Sequence, residues 1–361
     1  MEEQYMRRAI ELARRGAGWT SPNPLVGAVI VKDGKVIGEG WHERCGGLHA
    51  ERNALKNCAG DPAGGTIYVT LEPCCHHGRT PPCTEAILAA GLSRVVYGSF
   101  DPNPKVCGQG AAQLRKAGIA VEAGFLREEC DALNPVFFHY ITHKTPYVAL
   151  KYAMTADGKI ATRTGASKWI TGDKARGQVQ ALRHQYRGIL VGVGTVLADD
   201  PLLNCRMEGG RNPVRIVCDS HLRIPLDSQL CRTAREIPLI IAAASDDAEK
   251  RAALEACGAE VWVLPDKAGR VDLCALMRRL GAREIDSVLA EGGGTLHEAL
   301  LRAGLYQRVY AFIAPKLFGG RDAKTPVEGE GVAAPAEAYR LRLANVQPCG
   351  QDLLLAYERE G

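Results

Sequence analysis

No run of eighteen or more apolar residues occurs in this 361-residue sequence, so no membrane-spanning helix is expected. Its first residues, Met1-Glu2-Glu3-Gln4-Tyr5-Met6-Arg7, carry charge where a secretory signal would carry an apolar core, and export is not expected either. Aromatic residues make up only 6%, and the net charge is a dispersed +4. A polynucleotide groove joins a concentrated basic surface to aromatic platforms, so a nucleic-acid partner is not expected. The thirteen cysteines are an odd set without the regular spacing of a disulfide framework. They read as reduced thiols of a cytoplasmic protein, a few of them metal ligands. Internal repeats, low-complexity tracts and a G-x-G-x-x-G fingerprint are also missing.

What remains is a folded chain of about two domains, 46% hydrophobic and 24% charged. Met6, Ala9, Ile10 and Ala13 recur at helical spacing until Gly16 and Gly18. Strands are expected over 25–31 and 36–40 around an Asp33-Gly34 turn, then over 66–71, 94–99 and 119–122. Helices are expected over 49–58, 83–90 and 109–117. The pattern breaks over 134–146, which places a boundary between domains 1–145 and 146–361. The second domain alternates strands over 147–152, 188–193, 214–218, 238–244, 260–264 and 285–290 with helices over 174–187, 247–257, 271–280 and 296–303. Strands over 308–314 and 352–357 close it. Such alternation predicts an α/β fold with a mostly parallel sheet covered on both faces.

The chemistry concentrates in two stretches of the first domain. His49-Ala50-Glu51 opens one helix, and Thr70-Leu71-Glu72-Pro73-Cys74 leads through Pro81-Pro82-Cys83 into another. One imidazole and two thiols can hold Zn²⁺ and leave its fourth position open, the pattern of a catalytic site. A helix start favours thiolate over thiol. His49 and Glu51, two residues apart, can share a pocket only if His49 sits at the very start of its helix. The set matches the signature H-x-E…P-C-x-x-C of zinc nucleobase deaminases, in which the glutamate carries protons between water, ring and leaving ammonia. It departs in having the eight residues 75–82 between the two thiols. Cys75, His76 or His77 could also close a structural zinc site. Cys75 competes with Cys74 as ligand, and Cys74 is preferred because it follows the proline. Asn23, between two prolines, reads equally as a turn former.

In the second domain, Glu291-Gly292-Gly293-Gly294-Thr295 joins a buried strand to a helix, where glycines let backbone N–H groups approach phosphate. A second loop, 193–201, also follows a buried strand, and two such loops suggest a cofactor crevice. The segments 153–161 and 167–171, Arg183 on a basic helix and Leu203-Asn204-Cys205-Arg206 surround them in sequence. Arginine suits phosphate, although Arg183 reads as readily as one charge of a solvated face.

Ser21-Pro22-Asn23-Pro24-Leu25-Val26-Gly27, His49-Ala50-Glu51, and Thr70 to Cys74 with Pro81-Pro82-Cys83 together resemble the deaminase half of the bifunctional riboflavin-biosynthesis deaminase/reductase family. That family's P-C-x-H-x-G-x-T-P-P-C pattern accounts for the wide gap between the thiols. The resemblance extends over essentially the whole chain and implies a cytidine-deaminase-like α/β/α domain followed by a dihydrofolate-reductase-like α/β domain. It implies zinc on His49, Cys74 and Cys83, proton transfer by Glu51 and a substrate-positioning amide in Asn23. It further implies NADPH lined by Ala153, Trp169, Thr195, Asp199, Ser220 and Gly292, Gly293, Gly294 and Thr295. Ser167, Arg183, Leu203, Arg206 and Glu291 would hold a phosphoribosylaminopyrimidine, with the arginines on its 5′-phosphate. Lys151 and Asp157 are candidates for proton transfer. A homo-oligomeric cytoplasmic enzyme is expected. The competing readings are a polynucleotide deaminase, a non-enzymatic zinc scaffold, and a chain with only one active half.

Overall fold

A computed structural model of the chain describes residues 2–77, 81–103 and 107–360, so Gly78, Arg79 and Thr80 of the expected zinc loop lie outside the described residues. The chain divides into two compact units, Met1–Lys144 and Thr145–Gly361.

In the first unit α1 (Glu3–Arg14) precedes a hairpin of β1 (Gly27–Lys32) and β2 (Lys35–Trp41). Then come α2 (Ala50–Lys56), β3 (Thr66–Leu71), α3 (Cys83–Ala89), β4 (Arg94–Ser99), α4 (Gln109–Lys116), β5 (Ala120–Ala123), α5 (Arg127–Asp131) and α6 (Pro135–His143). The five strands lie in the order β2-β1-β3-β4-β5, antiparallel around β1 and parallel from β3 to β5. Strand alternation splits the core between two faces. Ala28, Ile30, Ile67, Val69, Val95 and Tyr97 pack with Ala50 and Ala54 of α2, Ile87 of α3 and Leu114 of α4. Val29, Val31, Tyr68 and Val96 turn to Met6, Ala9, Ile10 and Leu12 of α1. Gly40 of β2 brings α2 close, because a Cβ there would overlap the backbone of Ala50 and Ala54.

Most of the stretch 134–146, where the sequence pattern breaks, folds as part of this unit, which runs to Lys144. Pro135 opens α6 at a position that needs no backbone donor. Asn134 ties the helix to the first unit's β1 approach, accepting from Leu25 N–H at 2.7 Å and donating to Leu25 O at 2.9 Å. Phe137 enters the core, and Phe138 and Ile141 pack against it.

The second unit runs β6 (Tyr147–Thr155), α7 (Asp173–Gln185), β7 (Gly188–Gly192), α8 (Val193–Asp199), β8 (Val214–Cys218), α9 (Gln229–Arg232), β9 (Leu239–Ala243), α10 (Ala248–Ala256) and β10 (Glu260–Val263). It continues with α11 (Leu273–Ala282), β11 (Ser287–Ala290), α12 (Gly294–Arg302), β12 (Arg308–Ala314), β13 (Leu341–Cys349) and β14 (Asp352–Arg359). Nine strands lie in the order β10-β9-β8-β7-β11-β6-β12-β14-β13, parallel from β10 to β12 and antiparallel beyond. Both faces are covered, as the alternation predicts. Leu190, Ile216 and Ile240 pack with α11 and α12, while Ile189, Val191, Val217 and Ile241 pack on the other side with Leu230 and Leu254.

Three expectations are corrected here. The stretch 193–201 is not an open loop: most of it is α8, because Val193 and Val196 fall one turn apart and both bury in the core. The strand expected over 147–152 runs on to Thr155, so Ala153 lies within a strand, opposite Phe312. Strand β13 carries no strand signal in the sequence, since it is a largely exposed edge strand with Pro348 in it.

Candidate functional site

The metal-ligand types of the first unit converge. His49 is the residue before α2, in an extended conformation that hands the chain from loop to helix. It therefore projects beside Glu51, one residue into the helix, despite the i, i+2 spacing. Cys83 is the first residue of α3, and Cys74 follows β3 in the loop opposite. His49 Nδ1 lies 3.5 Å from Cys74 Sγ and 3.3 Å from Cys83 Sγ, and the Cys83 N–H donates to Cys74 Sγ at 3.4 Å. The three ligand atoms lie within 4.8 Å of one another. Cys75, His76 and His77 are not part of that cluster among the described residues, so it keeps three members.

Hydrogen bonds from Cys83 and His49 hold the Cys74 thiol well below its ordinary value, which favours the thiolate. Glu51 is buried, and burial pushes its carboxyl above the ordinary value. Its Oε2 has no hydrogen-bond partner among the described residues. A buried, unsatisfied oxygen beside three metal-ligand atoms is a costly arrangement unless something else enters the pocket. The donor set, one nitrogen and two sulfurs in tetrahedral reach, fits Zn²⁺.

His42 stands beside His49 and in turn holds Asn23. Asn23 Nδ2 lies 3.1 Å from His42 Nε2, and His42 Nδ1 lies 2.9 Å from Leu48 O. Leu48 O can only accept, so Nδ1 carries the proton and Nε2 accepts from the amide. Burial depresses the His42 pKa and favours that neutral form. The His42 and His49 rings meet edge to face, with centroids 5.4 Å apart. His42 carries no motif spacing in the sequence, so only the fold reveals it. Glu72, in the Leu-Glu-Pro-Cys run, is structural: it accepts from Gly108 N–H at 3.0 Å and Ala111 N–H at 3.3 Å, capping the start of α4.

In the second unit several candidate residues follow the carboxyl ends of parallel strands: Thr195 and Asp199 after β7, Ser220 after β8, and Glu291 to Thr295 after β11. Glu291, just after β11, accepts from Arg183 Nε at 2.8 Å and Nη2 at 3.0 Å, and Lys151 Nζ lies 3.4 Å from it. All three are largely buried. Burial alone would raise the Glu291 carboxyl, but Arg183 and Lys151 outweigh it and hold it at about 2. Arg183 is therefore no solvated surface charge, and its Nη1 also donates to Asn204 O at 3.0 Å. Ser167 Oγ lies 3.4 Å from Asp199 Oδ1. Thr195 sits in α8, and Ser220 O, beyond β8, accepts from Ala244 and Ser245. Gly292 and Gly293 precede α12, which opens at Gly294 and Thr295. A Cβ on Gly294 would overlap Glu328.

Leu203 is buried, whereas Trp169 and Arg206 are exposed, the Trp169 ring lying under the Arg176 guanidinium at 4.6 Å. Asp157 is bonded within its own loop. Its oxygens accept from Thr155 and from Phe318 and Gly319 N–H groups, and the Thr155 bond first among these holds the carboxyl at about 2.

An α/β/α layer with an open His/Cys/Cys cluster, and a parallel-sheet unit with a buried charged cluster, define a two-enzyme chain: a zinc deaminase joined to a reductase. Residues 1–99 match the family described as the cytidine and deoxycytidylate deaminase zinc-binding region, and residues 146–355 match the RibD C-terminal domain. The chain belongs to the RibD family, the bifunctional deaminase/reductases of riboflavin biosynthesis. It is 57% identical over 353 residues to the riboflavin biosynthesis protein RibD of Actinobacillus pleuropneumoniae, covering 98% of this chain and 94% of that one. A crystal structure of a diaminohydroxyphosphoribosylaminopyrimidine deaminase/5-amino-6-(5-phosphoribosylamino)uracil reductase from Thermotoga maritima superposes with a TM-score of 0.88 at 40% identity, covering 99% and 98% of the two chains. RibD of Acinetobacter baumannii gives 0.89 at 37% identity, covering 100% and 99%. No helix among the described residues is long and apolar enough to cross a membrane.

Proposed function

We propose that the first unit hydrolyses the 2-amino group of 2,5-diamino-6-(5-phosphoribosylamino)pyrimidin-4(3H)-one, and that the second reduces the product's ribosyl group to ribityl with NADPH, in the cytoplasm. His49, Cys74 and Cys83 hold Zn²⁺, which supplies a Lewis acid that lowers the pKa of water. Glu51 takes a proton from the attacking water and delivers it to the ring nitrogen; it then takes the second proton from the hydroxyl of the tetrahedral adduct and passes it to the amine, which leaves as ammonia as the carbonyl forms. A carboxyl raised by burial suits a group that both takes and gives a proton. His42 keeps the Asn23 amide turned so that Oδ1 is left to accept from the pyrimidine. The observation that carries this half is the three-ligand cluster beside the unpartnered Glu51 oxygen.

In the second unit Ala153, Trp169, Thr195, Asp199, Ser220 and Gly292 to Thr295 line the NADPH site, and the cofactor supplies hydride to C1′ of the ring-opened sugar. Ser167, Arg183, Leu203, Arg206 and Glu291 hold the substrate, with Arg183 and Arg206 on its phosphate. Lys151, beside Glu291, is the better placed of the two candidates for handling the proton, because the Asp157 carboxylate is committed to its own loop. The test is Glu51→Ala assayed with the diaminopyrimidinone and NADPH. Ammonia release should fall about a thousandfold, while reduction of pre-deaminated substrate persists. Loss of both would show that the two chemistries are not independent.

A further inference from the structure

Arg215 is an anomaly among the charged groups of the second unit. It sits in β8, fully buried, and among the described residues no carboxylate lies within ion-pair distance of it, Glu236 acting on it only at longer range. Its guanidinium donates instead to neutral oxygens: Thr233 Oγ1 at 2.7 Å, Thr233 O at 3.1 Å, Leu230 O at 3.3 Å, Leu202 O at 3.4 Å and Ile237 O at 2.5 Å. Nε has no partner among the described residues. Burying an unpaired charge is expensive, and a leucine or methionine would fill β8 at lower cost. The arrangement therefore asks what the guanidinium secures.

Its acceptors answer. Leu230, Thr233 and Ile237 belong to α9 and the turn after it, while Leu202 belongs to the bend that follows α8. The other end of α9 grips the same bend. Gln229 donates from its backbone N–H to Asp200 Oδ1 at 2.8 Å and from Nε2 to Asp200 O. Within that bend two residues that are not glycine adopt left-handed conformations, Asp200 at φ 38° and Leu203 at φ 52°. Leucine rarely adopts that region, and such residues persist when their surroundings over-determine them.

We infer that Arg215 and Gln229 are positioning residues for the reductase: through α9 they lock the 199–203 bend in a shape the free chain would not hold. Asp199 stands at one end of this bend and Leu203 at the other, so a single lock sets the NADPH contact and the substrate contact together. The inference rests on the reading of those two residues given above.

The test uses the full-length enzyme. Arg215→Lys keeps the charge but loses the fork that reaches both Leu202 and α9; Gln229→Ala removes only the side-chain tether to Asp200 and serves if the first variant fails to fold. KM for NADPH and for the pre-deaminated substrate are measured beside ammonia release, with Asp199→Ala as reference. Because KM does not depend on the fraction of folded enzyme, a purely structural role would lower the apparent kcat alone. The lock predicts that KM for NADPH or substrate rises about tenfold in the anchor variants, with ammonia release unchanged. If Asp199→Ala raises the NADPH KM and neither anchor variant moves either KM beyond twofold, the lock is wrong and the site reading stands. If all three behave as the parent enzyme, the reading of Asp199 falls and takes the lock with it.

Discussion

At the scale of single residues, Glu291 is held between Arg183 and Lys151 and is charged at any pH the enzyme meets. Its carboxyl sits at about 2 in the folded protein against an ordinary 4.5. The folded state thus binds this proton more weakly than the unfolded chain does. The stability it contributes is complete above about 4.5 and is lost as pH falls from there towards about 2. Glu291→Gln preserves the shape and leaves two buried cations without a counter-charge. A loss of about 3 kcal/mol is expected near neutral pH, with the acid dependence flattened over the same interval. Urea unfolding of the two proteins at neutral and acid pH measures both, and equal stability at neutral pH would remove the triad as a source of stability. The residues legible in the sequence were those whose spacing is local: His49, Glu51, Cys74 and Cys83 declare themselves through short motifs. His42 does not. Its bond to Asn23 is made across a loop and two strands, so its role is written only in the fold.

At the scale of elements, the zinc cluster depends on how closely α2 lies on the sheet. Gly40 permits that approach, since a Cβ would meet the backbone of Ala50 and Ala54. Gly40→Ala is expected to lift α2 and carry His49 and Glu51 away from Cys74 and Cys83, which stay with β3 and α3. Overpacking of this kind costs about 1–3 kcal/mol. Here the larger effect should be on the metal: zinc affinity measured by competition with a chelator falls, and ammonia release falls with it, although Gly40 touches neither ion nor substrate. Unchanged affinity would mean that α2 is set by its other contacts. Elements with a strong pattern were legible for the same reason that they matter. The buried strands β7, β8, β9 and β11 announce themselves as apolar runs between helices. The misread elements lack that signal: α8 is short and shows only Val193 and Val196 to the core, and β13 is exposed along most of its length. Helix α6 was hidden by aromatics and histidines that read as a break in pattern, although Phe137 is core.

At the scale of the whole molecule, each unit owns its core and its proposed ligand, so each ligand should report on one unit. Zinc at about a thousand times its dissociation constant would stabilise the unit that binds it by about 4 kcal/mol, and NADPH at about a hundredfold excess would give about 2.7 kcal/mol. Thermal unfolding of the full chain should therefore contain a transition that moves down when a chelator strips the metal and another that moves up with NADPH. The metal-stripped protein should release no ammonia and still reduce pre-deaminated substrate. If both ligands shift one common transition, the units unfold as a single cooperative block, and separate cores within each unit would not be enough to make them independent. If NADPH shifts nothing, the second unit does not hold it at the residues proposed, since a ligand that binds only the folded state cannot fail to stabilise it.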